Sequence, residues 1–217
     1  MQKTDIISLA KQTITQEAEA IAGMVSFIND DFKKTIDLII NCKGRLVISG
    51  IGKSAIIAQK IVATLNSTGT PSLFMHAADA IHGDMGMIQQ DDVVMIISKS
   101  GDSPEIKVLV PIVKNFGNKI IAMVGQTQSY LAKQTDLILN TTVSKEACPN
   151  NLAPTSSTTA QMVMGDAIAI CLMHAKGFSA DEFARFHPGG TLGKKLYLKV
   201  SDPVSYTHLT LPTNREV

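Results

Sequence analysis

Five short apolar runs in the middle of the chain constrain its fold more than any other feature. The runs are Leu46–Ser49, Ser72–His76, Val93–Ser98, Ile120–Val124 and Leu137–Leu139. They are continuously apolar rather than alternating, which indicates strands that are buried on both faces. Segments with the apolar spacing of helices lie between them, at Ala55–Leu65, Glu105–Phe116 and Tyr130–Gln134. Strands that alternate with helices predict a three-layer α/β/α sandwich with a five-stranded, mostly parallel sheet.

The regions on either side of these runs are expected to be helical. Up to Lys43, apolar residues recur at spacings of three and four, and a break near Asn29–Asp31 divides this region into two helices. A long helix is predicted at Ser156–Ala175, where methionine, alanine and isoleucine share one face. We therefore expect residues 1–43 to form N-terminal helices that pack on the domain, residues 44–202 to form the α/β domain, and residues 203–217 to be irregular.

Composition and charge exclude several classes of function. The 217 residues are 45% hydrophobic and 18% charged, with a formal net charge of +1, so the chain is globular and lacks the basic field of a nucleic-acid-binding protein. Apolar runs such as Val93–Ile97 are too short to span a membrane, and the N-terminus lacks the apolar core of a secretory signal. The three cysteines, Cys42, Cys148 and Cys171, are widely spaced. They favour a reduced, cytoplasmic compartment over disulfide bonds or a zinc site, and no metal site is expected.

Ligands of an open parallel sheet bind beyond the carboxyl ends of its strands, so the loops at those ends carry the candidate chemistry. The first loop, Gly50–Ser54, reads GIGKS between a strand and a helix. It is not a Walker A loop, because Val47 stands where that motif needs a glycine. Its glycines satisfy the dinucleotide pattern GxGxxA, but the second strand ends at His76 without the acidic residue that binds the ribose. A dinucleotide-binding oxidoreductase is the weaker alternative for this loop.

The loop after the third strand, Ser98–Glu105, reads SKSGDSPE and is suited to hold a phosphate. Ser98, Ser100 and Ser103 surround Gly101 at the point where a helix begins. Serine hydroxyls and helix amides together bind a phosphate monoester without the metal that a triphosphate requires. The alternative is an ordinary helix N-cap, which would use Ser103 alone and would leave the other two serines unexplained.

Three further segments carry residues that are able to do chemistry. His82 and Asp84 stand beside glycines in AIHGDMGMI, and His187 precedes a Pro-Gly-Gly sequence. The loop Lys145–Thr159 carries Glu146 and ends in a serine and threonine cluster where a helix starts. Each feature alone has a structural explanation, as a hydrogen-bonded histidine or an amply provided helix cap. Together, a carboxylate, a lysine and histidines near a phosphate-binding loop are the equipment of an aldose–ketose isomerase, which moves a proton between adjacent carbons and stabilises an enediolate.

Five segments, taken in order, resemble those of a known family. They are SGIGKS, LNSTGTPSLFMHAADAIHGDMGMI, SKSGDSPE, KEACPNNLAPTSSTTAQMVMGDAIA and FARFHPGGTLGKKL. The resemblance is to the sugar isomerase (SIS) domain of the D-arabinose-5-phosphate isomerase family, and it covers roughly Asp5–Asp202. It implies a flavodoxin-like fold and interconversion of D-ribulose 5-phosphate and D-arabinose 5-phosphate through an enediol, which supplies the acidic sugar Kdo for lipopolysaccharide or capsule. It also implies that no cofactor is needed and that the chain forms dimers or tetramers with active sites at subunit boundaries.

The same resemblance implies a set of site residues. Those implied as catalytic are Lys53, Glu105, Glu146 and His187, with His82 beside them. Those implied to bind the sugar and its phosphate are Ser49, Gly50, Gly52, Ser98, Ser100, Gly101, Ser103, Thr155, Ser156, Ser157 and Thr158. Within this set we expect Glu146 to be the base at C1 and C2, and Lys53 to offset charge on the enediolate. Glu105 would orient Lys53 or act as a second acid–base group, and His187, supplied by a neighbouring subunit, would assist ring opening or relay protons.

The C-terminus departs from the family pattern. Many members continue into two CBS repeats, whereas here Asp202 is followed by PVSYTHLTLPTNREV, which has no helical period and no CBS motif. We expect this tail to be non-native and the regulation that CBS repeats provide to be absent. Two alternatives remain open: an isomerase of another phosphosugar, such as a hexose 6-phosphate, and a non-catalytic phosphosugar sensor. A sensor that regulates transcription needs a DNA-binding module, for which the residues before Lys43 are too few and too acidic in their middle.

Overall fold

The structure is a computed structural model that describes residues 5–190. In chain order its helices and strands are α1 (Ile6–Gly23), α2 (Asp30–Ile40), β1 (Leu46–Gly50), α3 (Lys53–Ser67), β2 (Ser72–His76), α4 (Ala77–Ala80), β3 (Val93–Ser98), α5 (Pro104–Asn115), β4 (Ile120–Val124), α6 (Tyr130–Gln134), β5 (Leu137–Asn140), α7 (Ser156–Lys176) and α8 (Ala180–Phe186). Short 3-10 helices lie at Met24–Phe27 and Asp84–Met87. The chain divides into two compact units, one up to Phe178 and one from Ser179, and α8 belongs to the second.

The five strands form one parallel sheet in the order β2-β1-β3-β4-β5. Gly50 at the end of β1 pairs with His76 at the end of β2 and with Ile97 near the end of β3. Ser98 in turn pairs with Val124, the last residue of β4, so the carboxyl ends of these strands lie at one edge. The chain passes from β1 to β2 on one side of β1 and then returns to β3 on the other, which makes the boundary between β1 and β3 the topological switch point. The loops after β1 and β3 therefore meet where ligands bind in such sheets.

Helices cover both faces of the sheet, and each face has its own apolar core. On one face, Ile48 and Met95 belong to a buried cluster with residues of α2, α3 and α7. On the other face, Val47 and Val94 belong to a cluster with residues of α4, α5 and α6. Neighbouring residues of a strand are thus buried on opposite sides, as the pleat of a strand requires. The predicted three-layer α/β/α sandwich is confirmed, and its five-stranded sheet is parallel throughout.

The ends of several elements follow from local chemistry. Asn29 separates the first two helices, since its side chain caps α2 by accepting hydrogen bonds from the amides of Asp31 and Phe32. The predicted bounds of β2, β3 and β4 match the structure, and β1 and β5 each extend one residue further. Helix α3 begins at Lys53, earlier than predicted, because the turn before it is closed by Gly52 with a φ of 57°. The predicted irregular tail, residues 203–217, lies outside the described residues.

The first helix lies against the long helix α7. The Thr159 hydroxyl of α7 donates a hydrogen bond to Glu17 Oε2 of α1 at 2.9 Å. Helix α1, which is described along its full length, has no buried residue, and its apolar side chains Ile6, Ile7 and Ile14 are exposed. Within residues 5–190, none of the helices combines the length and the apolar character that a membrane span needs.

Candidate active site

The loop after β1 places Lys53 at the start of α3. Lys53 is exposed, and its side chain lines a cleft of about 350 Å³ at the carboxyl edge of the sheet. The next residue, Ser54, donates a hydrogen bond through Oγ to Gln161 Oε1 at 3.2 Å, which joins α3 to α7 beside the cleft. Ser49, near the end of β1, has a buried hydroxyl with no hydrogen-bond partner among the described residues. This loop therefore supplies an exposed cation and the wall of a pocket.

The loop after β3 folds its serines around the amino end of α5. Ser98 Oγ accepts a hydrogen bond from the Gly101 amide at 2.9 Å. Gly101 has a φ of 68°, and a Cβ there would collide with Ser129 Oγ, so this turn requires glycine. Ser103 is the N-cap residue of α5, but its buried hydroxyl makes no capping hydrogen bond and has no partner within the described chain. Helix capping therefore does not explain Ser103, which is also one of the residues that line the cleft.

The loop before α7 buries Glu146, whose side chain has 0% exposed surface. Its Oε1 accepts hydrogen bonds from Lys99 Nζ at 2.6 Å and from Ser157 Oγ at 2.5 Å. Its Oε2 accepts hydrogen bonds from the amides of Thr155 and Ser157, at 2.8 and 3.1 Å, and from the Thr155 hydroxyl at 3.3 Å. Thr155 occupies the N-cap position of α7 but makes no capping bond with its own side chain. Glu146 thus caps α7 from the loop that precedes this helix.

These contacts decide the charge of Glu146. Burial alone raises the pKa of a carboxyl, but here the hydrogen bonds from Lys99, from Ser157 and from the Thr155 amide outweigh burial and lower the pKa of Glu146 from 4.5 to about 2. The group is therefore ionised at neutral pH, and the Lys99 ammonium and the positive end of α7 balance its charge. A carboxylate that is stabilised by so many donors is a weak base while they stay in place.

The cleft gathers the three serines predicted to hold a phosphate, together with other predicted site residues. Its lining includes, from the predicted set, Lys53, Ser98, Ser100, Ser103, Ser157 and Thr158. Helices α3 and α5 begin at or next to two of these residues, so the free amides and positive dipole ends of these two helices lie at the cleft. The amides at the start of α7 are instead bound by Glu146. Lys99 adds a second ammonium group to the lining. Such a set of hydroxyl, amide and ammonium donors suits a phosphate dianion, and the described residues contain no group of His, Cys, Asp and Glu arranged to hold a metal.

Some predicted residues lie near the cleft or apart from it without lining it. Glu105 is half-buried in the first turn of α5, and the Ser156 hydroxyl at the start of α7 is buried with no partner in the described part of the chain. His82 is exposed after α4, where its amide donates a hydrogen bond to the Asp79 carbonyl at 2.9 Å. Neither Glu105 nor His82 is among the residues that line the cleft of this single chain.

His187 belongs to the second compact unit and is described within it. It is the C-cap residue of α8, and its Nδ1 lies 2.8 Å from the Phe183 carbonyl oxygen. Its ring also stacks on the Phe183 ring, with 3.9 Å between the centroids. At its other end, α8 begins with a capping box formed by Ser179 and Glu182. The imidazole of His187 thus has a defined orientation on α8.

Lys99 and Gln161 also line the cleft, and neither residue was predicted from the sequence. Lys99 stands between Ser98 and Ser100 in SKSGDSPE. The prediction for that loop rested on its serine hydroxyls and its glycine and left out the lysine. Gln161 follows Ser157 by one helical turn on α7, so the two side chains share a face. Both residues could have been predicted, because Lys99 is flanked by two serines of the pocket and Gln161 lies one helical turn after Ser157.

Comparison with known proteins identifies the family. The family model for the SIS domain matches residues 38–171, a range that contains all five strands and the three loops of the cleft. The chain belongs to the SIS domain family. Its parallel sheet, its switch point and its serine-lined cleft are therefore features of a SIS domain.

Relatives of high sequence similarity carry related names. Arabinose 5-phosphate isomerase KdsD of Pseudomonas aeruginosa is 51% identical over 201 residues, which are 93% of this chain and 62% of that protein. Arabinose 5-phosphate isomerase KpsF of Escherichia coli O6:H1 is 46% identical over 202 residues, which are 93% of this chain and 62% of that protein. The chain thus spans about three fifths of the length of these relatives. The solved structure of E. coli CFT073 c3406 in complex with arabinose 5-phosphate is 40% identical, with a TM-score of 0.82, and covers 87% of this chain and 100% of its own.

Proposed function

We propose that this SIS domain chain is an aldose–ketose isomerase that interconverts D-ribulose 5-phosphate and D-arabinose 5-phosphate through an enediol intermediate. One observation carries the proposal: a cleft lined by serines and two lysines lies beside a buried carboxylate at the switch point of the sheet. The cleft suits the phosphate of a sugar, and the carboxylate suits proton transfer between adjacent carbons. The names of the relatives at 46–51% identity and the arabinose 5-phosphate bound to the 40% identical protein support a five-carbon substrate.

The phosphate end of the substrate is assigned to the loop between β3 and α5. Ser98, Ser100 and Ser103 all line the cleft, and the Ser103 hydroxyl has no hydrogen-bond partner within the described residues. Free amides at the start of α5 add donors whose positions are fixed by the helix. Hydrogen bonds to a charged group are each worth about 1.5–3 kcal/mol, so a few of them anchor a small sugar phosphate.

The reacting carbons are assigned to the neighbourhood of Glu146 and Lys53. In the direction from aldose to ketose, the Glu146 carboxylate removes the C2 proton of the open-chain sugar. The electron pair of the C2–H bond then forms the double bond between C1 and C2, and the carbonyl electrons move to the C1 oxygen to give the enediolate. The O2 proton then passes to O1 and the proton held by Glu146 returns to C1, which yields the ketose. The substrate therefore supplies both electrons and no cofactor takes part. The Lys53 ammonium in the cleft stabilises the negative oxygen of the enediolate.

The remaining predicted residues are assigned supporting roles. Glu105, in the first turn of α5, orients Lys53 or acts as a second acid–base group. His187, from a neighbouring copy of the chain, assists ring opening or relays protons. His82 lies beside this catalytic set. The exposure of His82 and the half-exposure of Glu105 support these roles, because both side chains are accessible to a neighbouring copy.

Self-association is part of the proposal, as a dimer or a tetramer with active sites at the subunit boundaries. Large apolar side chains lie exposed on three helices: Ile14 on α1 is 70% exposed, Ile56 on α3 is 64% exposed and Ile170 on α7 is 62% exposed. A second copy that covers such side chains would remove them from water. The SIS domain chain is placed in the cytoplasm in this proposal, in keeping with its three free cysteines, and its product supplies Kdo for lipopolysaccharide or capsule.

The test is direct assay of the isomerisation. The chain is incubated with D-ribulose 5-phosphate and the product is identified as D-arabinose 5-phosphate, with ribose 5-phosphate and glucosamine 6-phosphate assayed in parallel. Formation of arabinose 5-phosphate alone supports the proposal. Turnover of a hexose 6-phosphate instead would assign another phosphosugar, and binding without turnover would assign a sensor. Binding of NAD(P)H, measured by fluorescence titration, would favour the oxidoreductase.

A further inference from the structure

The two oxygens of the Glu146 carboxylate have donors of different kinds. Oε2 is held by the backbone amides of Thr155 and Ser157 at the start of α7, and by the Thr155 hydroxyl. Oε1 is held by two side chains, the Lys99 ammonium and the Ser157 hydroxyl. The donors of Oε2 are largely fixed by the helix, whereas both donors of Oε1 are able to turn about side-chain bonds. One oxygen is therefore anchored and the other is held by groups that are able to leave.

Both donors of Oε1 also line the cleft. Lys99 lies between Ser98 and Ser100 in the phosphate-binding loop, and 46% of its side chain is exposed. Ser157 also lines this cleft from α7, but it is only 2% exposed and its hydroxyl is bonded to Oε1. An anion in the cleft therefore competes with Oε1 for Lys99, and a phosphate dianion offers Lys99 a stronger partner than one carboxylate oxygen.

We propose that Lys99 is a positioning residue that holds Glu146 in the empty site and moves to the substrate phosphate on binding, leaving Oε1 free to accept the proton from C2. The inference rests on the proposed isomerase function and specifies how its base is activated. In the empty site Glu146 is ionised but weakly basic. When the substrate binds, Oε1 loses its cationic partner while Oε2 remains anchored, so the carboxylate becomes more basic without changing its place.

The charged and titratable groups around Glu146 determine how its pKa responds when Lys99 moves away. Lys99 is its ion-pair partner, and Lys53 lines the same cleft. On the other side, Lys145 and Cys148 line a separate cavity of about 300 Å³ with α1 residues, and Glu146 lies on its wall. The phosphate of a ligand titrates with a second pKa of about 6, above the range in which Glu146 responds. Removal of Lys99 should therefore be visible as a rise in the pKa of Glu146 from about 2 toward the ordinary 4.5 or above it.

The experiment follows the side-chain carboxyl carbon of Glu146 by NMR in protein with ¹³C-labelled glutamate, with the signal assigned from Glu146→Gln. Four samples are titrated: the wild type alone, the wild type with D-arabinitol 5-phosphate, Lys99→Met and Lys119→Met. Arabinitol 5-phosphate has no carbonyl group and cannot isomerise. Lys119 forms a comparable pair with Asp136, at 2.8 Å, before the start of β4 and outside the cleft lining. We expect the pKa of Glu146 to rise in Lys99→Met and in the liganded wild type, and to stay at its low value in Lys119→Met.

Measurements of KM and kcat distinguish this role of Lys99 from a merely structural one. With Lys99→Met, KM for the phosphosugar should rise about tenfold or more through the lost phosphate contact, while kcat stays within about threefold because the base is free in either case. Lys99→Arg should restore most of the binding. The inference is overturned if Glu146 titrates identically in Lys99→Met and the wild type, if arabinitol 5-phosphate leaves the Glu146 signal of the wild type unchanged, or if Lys99→Met loses kcat at unchanged KM.

Failure of the proposed isomerase function gives a different result. In that case wild-type protein forms no arabinose 5-phosphate from ribulose 5-phosphate, whereas the NMR titration needs no turnover and still reports whether a sugar phosphate separates Lys99 from Glu146. The liganded wild-type sample also needs no substitution at Lys99, so the test stands even if Lys99→Met fails to fold.

Discussion

Lys99 Nζ lies 2.6 Å from Glu146 Oε1, and this ion pair joins the loop after β3 to the loop before α7. The two residues are 47 positions apart in the sequence. The lysine side chain is 46% exposed toward the cleft and the carboxylate is fully buried, so solvent and ligands reach the pair from the lysine side. Any anion that enters the cleft therefore acts on the carboxylate through Lys99.

Glu146→Gln removes the proposed base and keeps its shape. We expect kcat to fall by roughly 10²–10⁴-fold, the usual contribution of a general base. The measurement is exchange of the C2 proton of arabinose 5-phosphate with solvent deuterium, followed by NMR. Glu19→Gln, at an exposed position on α1, is the matched control and should exchange at the wild-type rate. If Glu146→Gln exchanges as fast as the wild type, Glu146 is not the base.

The low pKa of Glu146 predicts a loss of stability in acid. The pKa of Glu146 is about 2 in the folded chain against an ordinary 4.5, so the unfolded chain binds more protons between these values. The stabilisation is fully present above pH 4.5 and is lost as the pH falls through the folded pKa of about 2. Its full size is roughly 3 kcal/mol, of which roughly 2 kcal/mol is lost by about pH 3.

Urea unfolding of the wild type and Glu146→Gln checks this prediction. The difference between their free energies of unfolding should narrow by roughly 2 kcal/mol between about pH 6 and about pH 3, because only the wild type carries the titrating group. All other carboxyl groups are common to both proteins and cancel in the difference. A difference that stays constant over this range would show that the pKa of Glu146 is not depressed in the folded chain.

Ser103→Ala and Ser67→Ala should have opposite effects. Ser103 Oγ is buried with no partner among the described residues, so its removal should leave the free energy of unfolding unchanged or slightly higher. Loss of its bond to the substrate phosphate should raise KM by roughly 10–100-fold. Ser67 Oγ donates to the Thr64 carbonyl at 2.8 Å, so Ser67→Ala should cost about 1 kcal/mol of stability and leave KM unchanged. Urea unfolding and KM are measured for both variants, and an unchanged KM in Ser103→Ala contradicts its role.

The sheet could be predicted from the sequence because its signals are local. Continuous apolar runs mark β1 to β5, and their alternation with helical spacing leads to a parallel sheet and to its carboxyl edge as the ligand site. The serines of the loop after β3 could be assigned to that edge for the same reason. The start of α3 at Lys53 could not be predicted, because it depends on the backbone conformation of Gly52. Glycine is able to adopt several conformations, so the residue type alone does not determine which one occurs.

The partners of Glu146 could not be predicted from the sequence. Lys99 and Ser157 reach Oε1 only because two loops and one helix end lie together in the fold. The spacing of these residues along the sequence does not indicate that they are in contact. The same holds for the pKa of Glu146, which depends on how many donors surround the buried carboxylate. Glu105 and His82 do not line the cleft, so their roles in the site stay predictions.

Gly101→Ala should cost more stability than Gly117→Ala. Both glycines have positive φ, 68° and 84°, so alanine at either position carries about 1–2 kcal/mol of left-handed strain. At Gly117 a Cβ meets open space, whereas at Gly101 it collides with Ser129 Oγ. Gly101→Ala should also raise KM, because the Gly101 amide holds Ser98 Oγ in the loop that we assign to the substrate phosphate. The measurements are urea unfolding and KM; equal costs for the two variants would mean that the turn relaxes around the added methyl.

Lys53→Met tests the group assigned to the enediolate oxygen. Lys53 is exposed at the start of α3, so its replacement should change the free energy of unfolding by no more than about 0.5 kcal/mol. The loss of a cation aimed at charge that develops in the transition state should lower kcat by roughly 10²-fold or more, with a smaller change in KM. Lys11→Met, at an exposed position on α1, is the control and should match the wild type in both measurements. A Lys53→Met variant with raised KM and wild-type kcat would instead assign Lys53 to the phosphate, since the lost interaction would then be equal in the ground state and the transition state.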